Sequence, residues 1–297
     1  MLRLLKKHLP WRFQNKVNFL NAHSNFIFKA ILDTPPIPCN INAEVSYISL
    51  LCHRDVNIGL MAMKSFLRFC NNVRIIVQDD GSLSEQDKIR LAKHIPGMLF
   101  IDRTEADQRL SGKISNRLHE ARQKDPSFLK LVDVNLLFQG PKIVADSDIL
   151  FLKRPNEIID WINISENNRK PFFHEVNDAN KVFEKNLDRI NQMLHTRIEK
   201  LDYCSGFIGL DQSIIPQDIE NIFSILSEFS QVWGLEQNIY AFLLKERSFK
   251  LPPDRYLAIL EEDQRNIVNN ANMIHFVGKL KHKNYYRKGR AVIASLR

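Results

Sequence analysis

Between Val45 and Ile101 short apolar runs alternate with segments of helical period. Val45–Cys52, Val73–Val77 and Met98–Ile101 are compact aliphatic runs of strand length, whereas Ile58–Phe69 and Ser84–His94 repeat their apolar residues at helical spacing. Strands that run parallel need a long crossover between them, and a helix of this length supplies one. The βαβαβ order therefore predicts an α/β fold built on a parallel sheet with crossover helices. Ser84 followed three residues later by Asp87 matches a capping box with the shorter acid and places a helix start.

The clearest break is Thr34–Asn40 (TPPIPCN), because three prolines in so short a stretch fit neither a helix nor a central strand. It divides a basic N-terminal extension and linker, 1–40, from one domain at 41–297. That domain is read as two halves, 41–155 and 156–297, the second ending in a basic tail. With 297 residues and 44% hydrophobic content, the chain can bury a sizeable core. Further on, Phe128–Phe138 leads through Gln139-Gly140-Pro141 into the apolar run Ile143–Ala145. Tyr203–Leu210 reads as a buried strand, Ile219–Phe229 and Glu236–Glu246 as helices, and Met273–Phe276 as a short strand. Asn163–Lys200 is polar and poorly periodic outside a helix at Val182–Leu194, which fits a lid or an acceptor-side insertion.

The formal charge of +8 sits at the two ends. Residues 1–30 carry six Lys/Arg and 275–297 carry seven, with no Asp or Glu in either; of the 42 basic residues 29 remain, against 34 acidic ones. A nucleic-acid-binding body would carry its basic stripe across the fold, so this distribution argues against one. It predicts basic ends that meet phosphates or an anionic membrane surface, and Met1–Phe13 interleaves Leu, Trp and Phe with Arg and Lys as an interfacial segment does. No apolar run reaches the length of a membrane span, and the first twenty residues lack the apolar core of a signal peptide, so a cytoplasmic location is expected. Cys39, Cys52, Cys70 and Cys204 have neither CxxC spacing nor a His at zinc-finger interval, which argues for buried reduced thiols and against a structural zinc site or a disulfide framework.

Asp146-Ser147-Asp148 stands between Ile143-Val144-Ala145 and Ile149-Leu150-Phe151-Leu152. Carboxylates seldom enter apolar surroundings without a partner, and two of them two residues apart can share one hard divalent cation. A turn between two strands is the plain alternative. Two other predicted strand ends carry polar clusters as well: His53-Arg54-Asp55 after the first strand and Asp79-Asp80-Gly81-Ser82 after the second. In open α/β sheets ligands sit beyond the carboxyl ends of the strands, so the three clusters predict one shared site.

Together with downstream residues, the tripeptide resembles the D-x-D element of the GT-A fold glycosyltransferases, in particular the retaining group that includes glycogenin and the lipopolysaccharide galactosyltransferases, glycosyltransferase family 8. The resemblance covers roughly Val45–His282, and it implies that 41–155 is a nucleotide-sugar-binding half and 156–297 an acceptor-side half. It implies a GT-A type architecture: a Rossmann-like, mostly parallel central sheet with flanking helices and a smaller C-terminal acceptor-side portion. It also implies transfer of a hexose from a nucleotide sugar, UDP-linked by preference, to a saccharide or lipid-linked acceptor. Asp146 and Asp148, with Ser147 between them, would hold Mn²⁺ or Mg²⁺ against the donor diphosphate, where a cation offsets the charge that develops on the leaving group. His275, Gly278 and Lys281 match the H-x-x-G-x-x-K pattern: third metal ligand, close backbone approach and diphosphate partner. The following Pro-Trp of that pattern is replaced by His282-Lys283. Cys204-Ser205-Gly206 occupies the place of N-A-G or N-S-G, with Cys204 departing from Asn and Ser205 left to meet the sugar. Glu236-Gln237-Asn238 resembles D-Q-D, which assigns Glu236 and Gln237 to the transferred sugar, although an acid at a helix start is also an ordinary dipole partner. Lys130 falls near the donor-sugar Arg of the family. Asp79 and Asp80, with His53 on the neighbouring strand end, are expected on the nucleotide; their D-D-G-S run resembles that of the inverting family 2 enzymes, with a tight glycine turn as the plain alternative, so inversion stays open, while the His275 pattern favours retention. A haloacid dehalogenase-type phosphohydrolase, a nucleotidyltransferase and a silent nucleotide-sugar binder are the other readings.

Overall fold

The computed structural model describes residues 24–165, 168–176, 181–212, 214–229, 234–259, 269–277 and 283–297. The predicted alternation is present: β1 (Ser46–Leu51), the helix Val56–Leu67, β2 (Arg74–Asp79), the helix Glu85–His94 and β3 (Leu99–Ile101). β1 pairs in parallel with β2, and β2 with β3, with Leu51 opposite Asp79 and Gln78 opposite Ile101. β4 (Lys142–Ala145) joins the other side of β1, also in parallel. The carboxyl ends of β1, β2 and β4 therefore open on one edge, which brings Asp79 and Asp146 to the same side of the sheet.

Beyond β4 the sheet becomes mixed. β6 (Phe172–Glu175), β7 (Tyr203–Leu210) and β8 (Phe249–Lys250) complete the order β3-β2-β1-β4-β7-β6-β8, with β7 antiparallel to both β4 and β6. Asn163–Lys200 is thus more than an insertion. Its segment Phe172–Glu175 is a strand of the main sheet, too short to show a clear period in a polar stretch. The expected helix at Val182–Leu194 forms as two, Lys181–Lys185 and Leu187–Leu194. A second sheet of three strands, β5 (Ile149–Phe151), β10 (Met273–Phe276) and β9 (Tyr256–Ile259), lies beside the first, with β10 antiparallel to β5 and parallel to β9.

Alternation along the strands divides the core. Tyr47, Leu51, Ile75, Val77, Ile143, Ala145 and Phe207 enter one apolar cluster, and the intervening Ile48, Ile76, Val144 and Ile208 enter the other. Both faces of the central strands are covered, so these strands read as continuous apolar runs rather than as alternating ones. Phe28 and Ile31 also belong to the first cluster, with Phe28 stacked on Tyr286 and edge-on to Tyr285 of the last helix. Residues before the Pro-rich break therefore pack into the body of the fold. Met1–Phe13 lies outside the described residues. The four cysteines are free; Cys204 is buried as expected, but Cys52 and Cys70, just past element ends, and Cys39, in the segment that follows the prolines, are only half-buried.

The capping box is complete: Ser84 Oγ accepts from the Asp87 amide at 3.2 Å, and Asp87 Oδ2 accepts from the Ser84 amide at 3.0 Å. Replacing Ser84 with Ala removes one of these bonds at a helix start. The expected outcome is a loss of about 1 kcal/mol in chemical denaturation, with no change in slope.

Candidate active site

The tripeptide is where the chain leaves one sheet for the other. β4 ends at Ala145, β5 begins at Ile149, and Asp146–Asp148 spans the gap. Two backbone hydrogen bonds hold it: the Asp146 amide donates to the Gly206 carbonyl at 2.8 Å, and the Phe276 amide donates to the Asp148 carbonyl at 3.1 Å. Pairing of β5 with β10 sets His275 opposite Ile149 and so beside Asp148. His275 Nε2 lies 3.3 Å from Asp148 Oδ1 and 3.5 Å from Asp146 Oδ2.

Gly206 makes this approach possible. A Cβ at that position would stand 2.0 Å from His275 Cε1 and 2.5 Å from Nδ1, so the imidazole lies directly on the glycine. The Gly of C-S-G is required by the ring that rests on it.

Lys130 projects from a π-helical turn, Leu129–Asp133, rather than from a regular helix. Its carbonyl accepts from the Tyr240 hydroxyl at 2.7 Å, and Asp133 at the end of the turn is gripped by Arg122 Nε and Nη2 at 2.6 and 2.7 Å and by Gln78 Nε2 at 2.7 Å. So anchored, Lys130 Nζ donates to Asp146 Oδ1 at 2.8 Å and lies 3.8 Å from Glu236 Oε1. Burial works against its charge, but the Asp146 and Glu236 carboxylates outweigh burial and hold its pKa above the ordinary lysine range.

Glu236 stands in the first turn of the helix Leu235–Leu244, only 4% exposed, and its Oε2 accepts from Ser205 Oγ at 2.9 Å. Burial raises its carboxyl pKa to about 7; Lys130 and Ser205 pull it down, and Asp146 adds to the rise. His275 lies well above its usual value: burial lowers it, but the Cys204 sulfur and the Asp148 carboxylate prevail. Cys204 is correspondingly lowered against its burial by the flanking imidazoles of His174 and His275.

These groups face a cavity of about 270 Å³ lined by Lys130, Asp146, Asp148, Ser205, Glu236, Gln237 and His275. Seven of the residues singled out in the sequence thus come together. Ser147 is half-buried in the turn between the two carboxylates. His53, Asp79 and Asp80 lie at neighbouring strand ends and do not line this cavity. His53 Nδ1 sits 2.6 Å from Asp87 Oδ2. Asp79 Oδ1 accepts from the Gly81 and Leu83 amides at 2.7 and 3.0 Å, and Asp80 Oδ1 from the Ser82 amide and hydroxyl at 2.9 and 2.6 Å, so both carboxylates shape a turn. Gly278 and Lys281 lie outside the described residues. Sequence reading missed His174, on the short strand β6, whose ring meets His275 and Cys204. An isolated His in a polar stretch carries no pattern that could have marked it.

Oxygens of Asp146 and Asp148 and a ring nitrogen of His275 all fall within 4.8 Å of one another. Two carboxylates and an imidazole form a donor set that suits Mn²⁺ or Mg²⁺, so the residues fit the cation implied by the D-x-D resemblance.

No family model and no curated protein matches the sequence. Solved structures do resemble the fold. The bifunctional glycosyltransferase WbbM superposes with a TM-score of 0.54 at 15% identity over 85% of this chain, which spans 50% of the WbbM chain. The galactosyltransferase LgtC in complex with donor and acceptor sugar analogues gives 0.54 at 12% identity, covering 84% of this chain and 95% of that one. Mouse xyloside xylosyltransferase 1 gives 0.51 at 11% identity, covering 80% and 98%.

Two outcomes test the site. Gly206→Ala should cost about 1–3 kcal/mol in chemical denaturation through overpacking against His275. For Glu236, the folded carboxyl near 7 binds a proton that the unfolded one, near 4.5, has released, so this group's contribution falls as pH rises between those values. The stability of Glu236→Gln relative to wild type should therefore increase from pH 4.5 to 7 and level off above. With the mixed seven-stranded sheet, the smaller second sheet and these structural matches together, the chain has the GT-A fold that its motifs resemble.

Proposed function

We propose that the protein is a metal-dependent glycosyltransferase that moves a hexose from a UDP sugar to a saccharide or lipid-linked acceptor, with retention of anomeric configuration. One observation carries the reading: on a GT-A fold, Asp146, Asp148 and His275 converge at the junction of two sheets beside a polar cavity that also receives Lys130, Glu236 and Gln237. LgtC, which shares the fold, is a galactosyltransferase seen with donor and acceptor sugar analogues.

A divalent cation at Asp146, Asp148 and His275 would neutralise the diphosphate as it leaves. The remaining work falls to the protein's own side chains. Lys130 keeps its charge in a buried place and holds Asp146 Oδ1, so the other Asp146 oxygen stays turned toward His275. Ser205 donates to Glu236 and so fixes that carboxyl, which lies near neutral in its titration and can meet sugar hydroxyls as acceptor or donor. Gln237, half-buried at the cavity wall, supplies a neutral amide beside the reacting sugar, where a cation would repel the positive charge developing at the anomeric carbon. Gly278 and Lys281 are assigned to the diphosphate by their motif, and His53, Asp79 and Asp80 to the nucleotide side of the same sheet edge.

Calorimetric titration with UDP tests the reading. Binding should require Mn²⁺ and disappear with EDTA or in Asp148→Ala. Equal binding with EDTA, or intact metal-dependent binding in Asp148→Ala, would overturn the site assignment. A panel of nucleotide sugars assayed for metal-dependent hydrolysis should show one preferred donor; binding without turnover on every donor would make the protein a nucleotide-sugar binder.

A further inference from the structure

We propose a second metal site, for a thiophilic cation such as Zn²⁺, formed by Cys204 Sγ, His174 Nε2 and His275 Nδ1. It stands apart from the glycosyl-transfer reading and uses the face of His275 turned away from the tripeptide. All three residues are buried, at 2%, 0% and 4% exposure. Cys204 Sγ lies 3.4 Å from His275 Nδ1, and His174 Nε2 lies 3.3 Å from the same nitrogen. A tetrahedral zinc with Zn–N of about 2.0–2.1 Å and Zn–S of about 2.3 Å needs ligand-to-ligand edges of about 3.3–3.6 Å. Both measured edges fall there. β6 and β7 build the pair: an irregularity between Phe173 and His174 shifts the register and sets His174 directly across from Cys204.

Proton counting points the same way. His174 Nδ1 lies 3.1 Å from the Phe207 carbonyl, which can only accept, so the ring proton is on Nδ1 and Nε2 presents a lone pair. His275 Nε2 faces the Asp148 and Asp146 carboxylates, and a proton there leaves Nδ1 as a second lone pair. Two nitrogen lone pairs and a sulfur then converge, with only the thiol proton to share among them. A cation at their centre satisfies all three, and the thiol proton is released to solvent as the thiolate binds. Metal-bound histidines usually pass their other N–H to a carbonyl or a carboxylate, and here the Phe207 carbonyl and the Asp148 carboxylate are those acceptors. Cys204 and His275 also line the cavity, which leaves a fourth position for water or an exogenous ligand. The two sites draw on opposite tautomers of one imidazole: a hard cation needs the Nε2 lone pair, a thiophilic one the Nδ1 lone pair. A neutral His275 serves one of them at a time.

Co²⁺ titration of the full chain reads this site directly. Wild type should develop a thiolate-to-cobalt charge-transfer band in the near ultraviolet and intense visible bands of tetrahedral cobalt, at one equivalent. Cys204→Ser should lose the charge-transfer band, His174→Gln should weaken binding, and Asp146→Asn should keep the spectrum while losing Mn²⁺-dependent UDP binding. X-ray absorption on the zinc-loaded wild type, which needs no variant to fold, should show one sulfur and two imidazole nitrogens. Absence of a charge-transfer band in wild type, its persistence in Cys204→Ser, or a zinc shell without sulfur would overturn the proposal.

Discussion

The passage of the chain from β4 into β5 through Asp146–Asp148 sets the position of nearly every group in the cavity. Its ends are fixed by β7, through the Gly206 carbonyl, and by β10, through the Phe276 amide. Because both anchors are backbone atoms of paired strands, the two carboxylates are located by sheet geometry and not by flexible side-chain packing. The same two strands carry the partners: Cys204, Ser205 and Gly206 on β7, and His275 on β10. A shift of β10 by one residue would turn His275 to the opposite face and leave the aspartates facing a hydrophobic side chain.

Such a concentration of acids is costly. Asp146 and Glu236 both meet the buried Lys130, whereas Asp148 lies beside His275. Burial raises the Glu236 carboxyl and Asp146 adds to the rise, while the Cys204 sulfur and the Asp148 carboxylate lift the His275 imidazole against its burial. A bound cation would relieve both, which is why the donor set and the titration of its neighbours make one electrostatic unit.

The fold was largely legible because its first half obeys local rules. β1 to β3 and their helices announce themselves by length and period, and Ser84 with Asp87 marks a helix start that the hydrogen bonds bear out. Legibility failed where tertiary pairing outweighed local pattern. Phe172–Glu175 is four residues in a polar region, and only its pairing with β7 and β8 makes it a strand. The π-helical turn at Lys130 depends on Tyr240, 110 residues further along the chain, and on the buried grip of Arg122 on Asp133. Among the strand-end clusters, Asp146–Asp148 and Asp79–Asp80 look alike as sequence. They differ in what surrounds them: the Asp79 and Asp80 oxygens are met by nearby amides of their own loop, whereas Asp146 and Asp148 face Lys130 and His275 from other elements.

Cys204 shows how one replacement changes the chemistry of a shared architecture. At the place where the resembled pattern has Asn, an amide would offer a donor and an acceptor and no affinity for soft metals. A thiol offers a weak donor that becomes a strong ligand on losing its proton. Its cross-strand partner is His174, and the ring resting on Gly206, two residues on, is His275, so the sulfur meets two imidazoles without any sequence spacing that resembles a zinc motif. Spacing rules describe sites whose ligands come from one hairpin or one loop. Where the ligands come from β6, β7 and β10, sheet pairing brings them together, and the chain between them is free to be of any length.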